Sequence, residues 1–265
     1  MVNQYIASIV QSITEVLPLS SSSHLAMVGI SNPIPLHIAT GLGGLIYITV
    51  TGLLFRFIKQ IVIIFFEIIG GITKLFRKRN NFPVMLHIIA VLVISTSIFF
   101  YKNRYIKAMP QEIAIIGGIL SAVFMYISDW QADNSEVVHF SNFKPIHLLI
   151  SIIANVISII PGSSRLGSVY TALRMIGLGR KDAMYIASIQ GVILNSTTVL
   201  PALTGISRSN LANIYMNTSY IIAGVAYVGL LHALFAMTSR ELHYTLLGCC
   251  LYRTCIFPFL YMNFA

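Results

Sequence analysis

Apolar stretches recur along the whole chain, near residues 36–55, 84–101, 111–128, 145–160, 183–204, 217–238 and 242–262. Each is close to the ~20 residues that a helix needs to cross the hydrocarbon core of a bilayer. In lipid, every backbone donor and acceptor must find its partner inside the protein, and for runs of this length the helix is the structure that does so. The expected fold class is therefore all-α: a polytopic membrane protein forming one integral membrane domain over residues 1–265, with no soluble domain left over. The charge content agrees, since 9% charged residues is far below the roughly one quarter of soluble domains.

The charges are also placed as membrane topology requires. Lys and Arg number 17 against 8 Asp and Glu, for a net charge of +9. They cluster between apolar stretches, as in FRFIKQ and KLFRKRNN, which marks cytoplasmic loops beside anionic lipid and argues against a nucleic-acid partner. If the basic flanks on both sides of residues 60–76, with Glu67 inside, face the cytoplasm, this piece lies along the interface and does not span. Cys249, Cys250 and Cys255 have no framework spacing and are expected to be small core residues. MVNQYIASIV lacks the basic region and cleavage site of a secretory leader, so it is expected to stay in the mature chain.

Against this background, QSITEVLPLSSSSHLAM, residues 11–27, stands out. Gln11 and Glu15 are one helical turn apart, so both reach the same small volume. A carboxylate at the centre of a membrane helix costs about 2.5–3.5 kcal/mol on insertion scales, which points to a partner or a use. Pro18 stops the first helix, and a serine caps the next; with Ser21 as the cap, His24 faces back toward the Ser21 hydroxyl. Neither piece is long enough to span comfortably, so a broken or re-entrant pair is expected, lined by protein or by a watery cavity.

A second break follows at Pro161-Gly162-Ser163-Ser164-Arg165-Leu166-Gly167. Here Ser163 or Ser164 can cap a helix whose first turn carries Arg165, and the guanidinium fork and free amides suit phosphate oxygens. The repeated layout suggests an inverted repeat, with halves near 1–128 and 145–265, whose paired breaks face each other. The longest polar connection, 129–144, carries Asp129, Asp133 and Glu136 as solvated loop charges. Arg174, Arg180 and Lys181 mark a membrane-boundary turn, and Asn155, Gln190 and Asn195 are expected to bond between helices or to line the cavity. His37, His87, His139, His147, His232 and His243 have no evident polar company and are expected in loops, interfaces or the core.

At the two breaks the sequence resembles the undecaprenyl-diphosphate phosphatase family of integral membrane enzymes. The first motif is carried by Gln11, Glu15, Pro18, Ser20, Ser21 and His24, the second by Pro161 through Gly167, and the resemblance covers nearly the whole chain. It implies that Glu15, Ser21, His24 and Arg165 are catalytic, and that Ser20, Ser22, Ser163, Ser164 and Gly162 bind substrate. It also implies a divalent metal, Mg or Ca, at Gln11 and Glu15. The implied setting is the bacterial cytoplasmic membrane with the site toward the outer side, and the implied partners are a polyprenyl diphosphate lipid, the bilayer and a second copy in a homodimer. Three departures stand out. Leu166 replaces a serine, Ser23 replaces a common glycine, and Gln11 leaves Glu15 as the motif's only acid, although hard cations prefer several charged oxygens.

The reaction the resemblance implies is hydrolysis of a polyprenyl diphosphate to the monophosphate plus phosphate, recycling the lipid carrier of cell-wall synthesis. Ser21 can attack with Glu15 or His24 as base, His24 can attack directly, or His24 can activate water. The rival reading is a lipid flippase or ion-coupled transporter, because broken helices aimed at an anion also describe a transport site. An intramembrane serine protease fits less well, for want of a G-x-S-x-G turn.

Overall fold

In a computed structural model, the structure describes residues 2–30, 34–51, 111–133, 150, 153–155, 157–158, 160, 162–197 and 218–264. The interfacial segment expected at 60–76, the basic clusters of 56–79, the stretch 84–101, Pro161, and His87, His139 and His147 lie outside these residues. The described elements are all helical: α1 (Val2–Val16), α2 (Ser21–Met27), α3 (Ile34–Val50), α4 (Gln111–Asp133), α5 (Arg165–Met175), α6 (Arg180–Thr197), α7 (Thr218–Ala236) and α8 (Ser239–Leu251). A π-helical turn, Tyr252–Ile256, carries α8 without interruption into α9 (Phe257–Phe264). Three stretches, Glu112–Ala132, Thr218–Ala236 and Ser239–Asn263, are long and apolar enough to cross a membrane. The protein is a multi-pass helical membrane protein.

Burial follows the logic of a lipid solvent. On α1 the polar side is inside: Ser8, Gln11 and Ser12 are fully buried, while Tyr5, Ile6, Ile9 and Ile13 face out. The same inversion runs along α4 and α7, whose Ile116, Leu120, Phe124, Ile221 and Val225 are exposed. Lipid tails receive these side chains as well as a protein core would, so helix association rests on close packing and interhelical hydrogen bonds. Ser12 Oγ donates to the Ala223 carbonyl at 2.8 Å, joining α1 to α7. A Cβ on Gly43 of α3 would lie 2.7 Å from the Gly224 carbonyl oxygen of α7, which shows how closely those backbones approach.

The two sequence breaks are real breaks. After α1, Pro18 and Leu19 carry the chain to Ser20, whose extended backbone (φ −86°, ψ 102°) starts α2. The cap is therefore Ser20, one residue earlier than expected; its side chain makes no capping bond and pairs with Ser23 Oγ at 3.1 Å. At the second break, Gly162 takes φ 83° and a Cβ there would lie 1.7 Å from the Ala114 carbonyl oxygen of α4, so only glycine fits. Ser164 then caps α5, its Oγ accepting from the Gly167 amide at 3.2 Å.

Candidate active site

The breaks bring both motifs together through one residue from elsewhere. Ser21 Oγ, in the first turn of α2, donates to Glu15 Oε1 at 2.8 Å. Asn195 Nδ2, from α6, donates to the other oxygen, Glu15 Oε2, at 2.7 Å. The same Asn195 amide accepts at Oδ1 from Arg165 at 3.1 Å. A continuous chain thus runs Ser21, Glu15, Asn195, Arg165, linking the first-motif acid to the second-motif cation. The link to Asn195 is the Arg165 hydrogen bond that the structure gives among the described residues, so most of the guanidinium fork stays uncommitted.

Gln11 joins the cluster from the same face of α1 as Glu15. Its Nε2 donates to Glu15 Oε1 at 3.0 Å and lies 2.8 Å from His37 Nδ1 on α3. His37 Nδ1 is also 3.3 Å from Glu15 Oε1. This corrects the expectation that His37 lacks polar company: it sits beside the acid. The single-residue signal was absent because α3 reaches α1 only through the tertiary fold.

His24 is held elsewhere than expected. Its Nδ1 donates to the Ser20 carbonyl at 2.6 Å and its Nε2 meets the Tyr252 hydroxyl at 2.9 Å, so it does not face the Ser21 hydroxyl. The ring stacks on Tyr252 at 5.6 Å and lies 5.3 Å from Phe257. Ser163 Oγ donates to the Ile160 carbonyl at 2.7 Å, Ser164 caps α5, and Gly162 presents its carbonyl to Arg253 at 3.0 Å. The side chain of Ser22 lies outside the described residues. Arg253, fully buried in the π-helical turn, also donates to the Pro18 carbonyl at 3.1 Å and to Ser121 Oγ. It therefore grips one carbonyl from each break. A lone Arg inside the last apolar stretch was the available sign of it, because a cation at that depth needs partners.

A second polar cluster lies at the C-terminal end of α4. Asp129 is buried, against the expectation of a solvated loop charge. It accepts from Arg174 Nε at 2.9 Å, Arg180 NH2 at 2.9 Å and the Tyr170 hydroxyl at 2.5 Å, and lies 3.0 Å from His243 Nδ1. The helix runs five residues past the apolar stretch, to Asp133, and two cations expected merely to mark a turn fold back onto it. His243, too, has polar company, and His232 Nδ1 pairs with the Tyr47 hydroxyl at 3.2 Å. Cys249 and Cys250 are buried as expected, whereas Cys255 is exposed.

The donor set around Gln11 and Glu15 does not fit a protein-held divalent cation. Hard cations gather several oxygen ligands, yet among the described residues one carboxylate stands here, both of its oxygens already accepting from protein donors. Among the described residues, no group of three or more His, Cys, Asp or Glu can hold a metal ion.

Comparison with known sequences identifies the chain's relatives. The sequence model described as bacitracin resistance protein BacA matches residues 4–255. An undecaprenyl-diphosphatase of Methanococcus vannielii is 32% identical over 186 residues, covering 66% of this chain and 68% of its own. Proteins of the same name from Methanococcus maripaludis (29% identical, covering 84% of this chain and 83% of its own) and Thermosipho africanus (27%, 84% of each) match over longer stretches. A match through nearly the whole chain, both breaks included, places this protein in the BacA family.

Proposed function

We propose that this protein is an undecaprenyl-diphosphate phosphatase, cleaving the phosphoanhydride of a polyprenyl diphosphate in the membrane and so recycling the lipid carrier of cell-wall synthesis. The observation that carries this reading is the chain from Ser21 through Glu15 and Asn195 to Arg165. It sets a hydroxyl on a base, and holds an uncommitted guanidinium on the far side of the same carboxylate. Family membership and the names of the relatives support the same activity.

In this reading Arg165 binds the non-bridging oxygens of the terminal phosphate, with its planar fork matched to two of them. The free amides at the start of α5 add donors beside it. Ser21 Oγ attacks the terminal phosphorus as its proton passes to Glu15, the acceptor 2.8 Å away. The P–O anhydride bond breaks and the lipid monophosphate leaves with the bonding pair. Water then attacks the phosphoserine, the P–Oγ bond breaks as Ser21 recovers its proton from Glu15, and the water's two protons leave with the inorganic phosphate as dihydrogen phosphate. Charge spreads over the equatorial oxygens in each transfer, and preorganised donors aimed at that charge are the main source of rate. Asn195 keeps Glu15 and Arg165 in register without neutralising either. The greasy outer faces of α1, α4 and α7 give the polyprenyl tail a path along lipid, and the reading places the site toward the outer side of the bacterial cytoplasmic membrane. No step is assigned to a cation, because the described residues around Glu15 do not offer the several oxygen ligands that a hard cation gathers.

The test is phosphate release from a long-chain polyprenyl diphosphate by detergent-purified protein, beside Ser21→Ala and Arg165→Ala and with a divalent-metal chelator. Release by the wild type and its loss in both variants is the expected result. A well-folded wild type that releases no phosphate sinks the reading and turns attention to transport.

A further inference from the structure

Tyr252 and Arg253 are consecutive, yet both reach the first break. The π-helical turn at Tyr252–Ile256 widens the helix at this point, and such turns recur at functional sites. Arg253 holds the Pro18 carbonyl at 3.1 Å. Tyr252 holds His24, and His24 Nδ1–H holds the Ser20 carbonyl at 2.6 Å. The carbonyls on either side of Leu19, immediately ahead of Ser21, are thus both fixed by one pair of residues from the far end of the chain.

We propose that Tyr252 and His24 form a positioning pair for Ser21, with His24 acting through the Ser20 carbonyl and not on the substrate. This rests on the phosphatase reading with Ser21 as the attacking group. Both ring nitrogens of His24 are engaged: Nδ1 donates to Ser20, which leaves Nε2 of the neutral ring to accept from the Tyr252 hydroxyl. The groups around the ring are Tyr252, Phe257 and the Arg253 cation from the C-terminal helix, and Ser20 from its own turn. The Ser21 proton meanwhile has its acceptor in Glu15. Holding the peptide between residues 20 and 21 sets the direction from which Ser21 Oγ approaches phosphorus, where a misplacement of about 1 Å costs about 10²-fold in rate.

The experiment measures kcat, KM and the pH–rate profile of phosphate release for purified wild type, Tyr252→Phe, His24→Asn and His24→Ala. Tyr252→Phe keeps the stacked ring and loses one hydrogen bond, so kcat falls roughly three- to tenfold with KM unchanged. In His24→Asn the amide nitrogen stands where Nδ1 stood and still reaches the Ser20 carbonyl. That variant stays within about tenfold of wild type and keeps the shape of the pH profile, whereas His24→Ala falls about 10²-fold. His24→Asn as inactive as His24→Ala, or with a limb of the pH profile gone, makes His24 a proton-transfer group and overturns the proposal. Tyr252→Phe with wild-type kinetics overturns it as well. Absence of release by the wild type removes the phosphatase reading and this inference with it, and so differs from either failure.

Discussion

Among the described residues two carboxylates are sunk in this membrane protein, Glu15 and Asp129, and their surroundings differ in one respect that decides what each can do. Asp129 has two guanidiniums bonded directly to it, together with the Tyr170 hydroxyl and His243. Its charge is matched inside the protein, and the cluster ties α4 to α5, α6 and α8. Glu15 has no guanidinium in contact; Asn195 stands between it and Arg165. The acid is left with a hydroxyl proton to take, and the cation with an open fork. A buried ion pair closed on itself is a brace, and one held apart by a neutral spacer is a receptor. Each cluster joins a carboxylate to histidine and arginine, so the presence of those charged types alone does not tell them apart.

Removing the brace should cost the most. Asp129→Ala strands Arg174 and Arg180, and breaking a buried pair from one side costs about 3–5 kcal/mol; thermal unfolding in detergent reads this, while the folded fraction keeps its specific activity. Glu15→Gln should do the opposite, sparing the melting temperature and lowering kcat by about 10²–10⁴-fold as the base is lost. Arg165→Ala should lower kcat by about 10²–10³-fold, the usual loss when one donor to a developing charge is removed. A large drop in stability in either variant would erase the distinction between brace and receptor. Gln11→Glu adds a second acid one turn from Glu15, and should make phosphate release more sensitive to a chelator than it is in the wild type. The smallest effect belongs to His243→Ala, at the exposed rim of the Asp129 cluster, with about 0–1 kcal/mol expected in the same unfolding assay.

Much of this was legible because lipid leaves a chain few options. Apolar stretches of spanning length marked α4, α7 and α8 through α9, and a proline or glycine followed by serines marked both breaks. Gln11, Glu15, Ser21 and Arg165 stood out as polar groups in apolar surroundings, a signal that needs no partner to be seen. What stayed hidden depended on the partner. Asn195 could be placed between helices but not between Glu15 and Arg165, since nothing local distinguishes it from Asn155. Asp129 resembled a loop charge because its cations lie 45 and 51 residues onward. His37 and Tyr252 carry no local mark at all; each acquires its meaning from a helix that arrives from elsewhere.

The grip of Tyr252 and Arg253 on the first break has a consequence for biogenesis. The contacts from Tyr252 to His24 and from Arg253 to Pro18 span 228 and 235 residues of chain. Long-range contacts of this kind form after the intervening chain has closed, and a nascent chain emerges from its N-terminus. The serine turn is therefore made early and shaped late: it waits in the bilayer through the synthesis of the intervening chain until the helix carrying Tyr252 and Arg253 inserts beside it. A molecule stalled short of residue 252 would contain both motifs and yet have a slack nucleophile turn, so that hydrolytic competence arrives only once the chain through Arg253 has inserted.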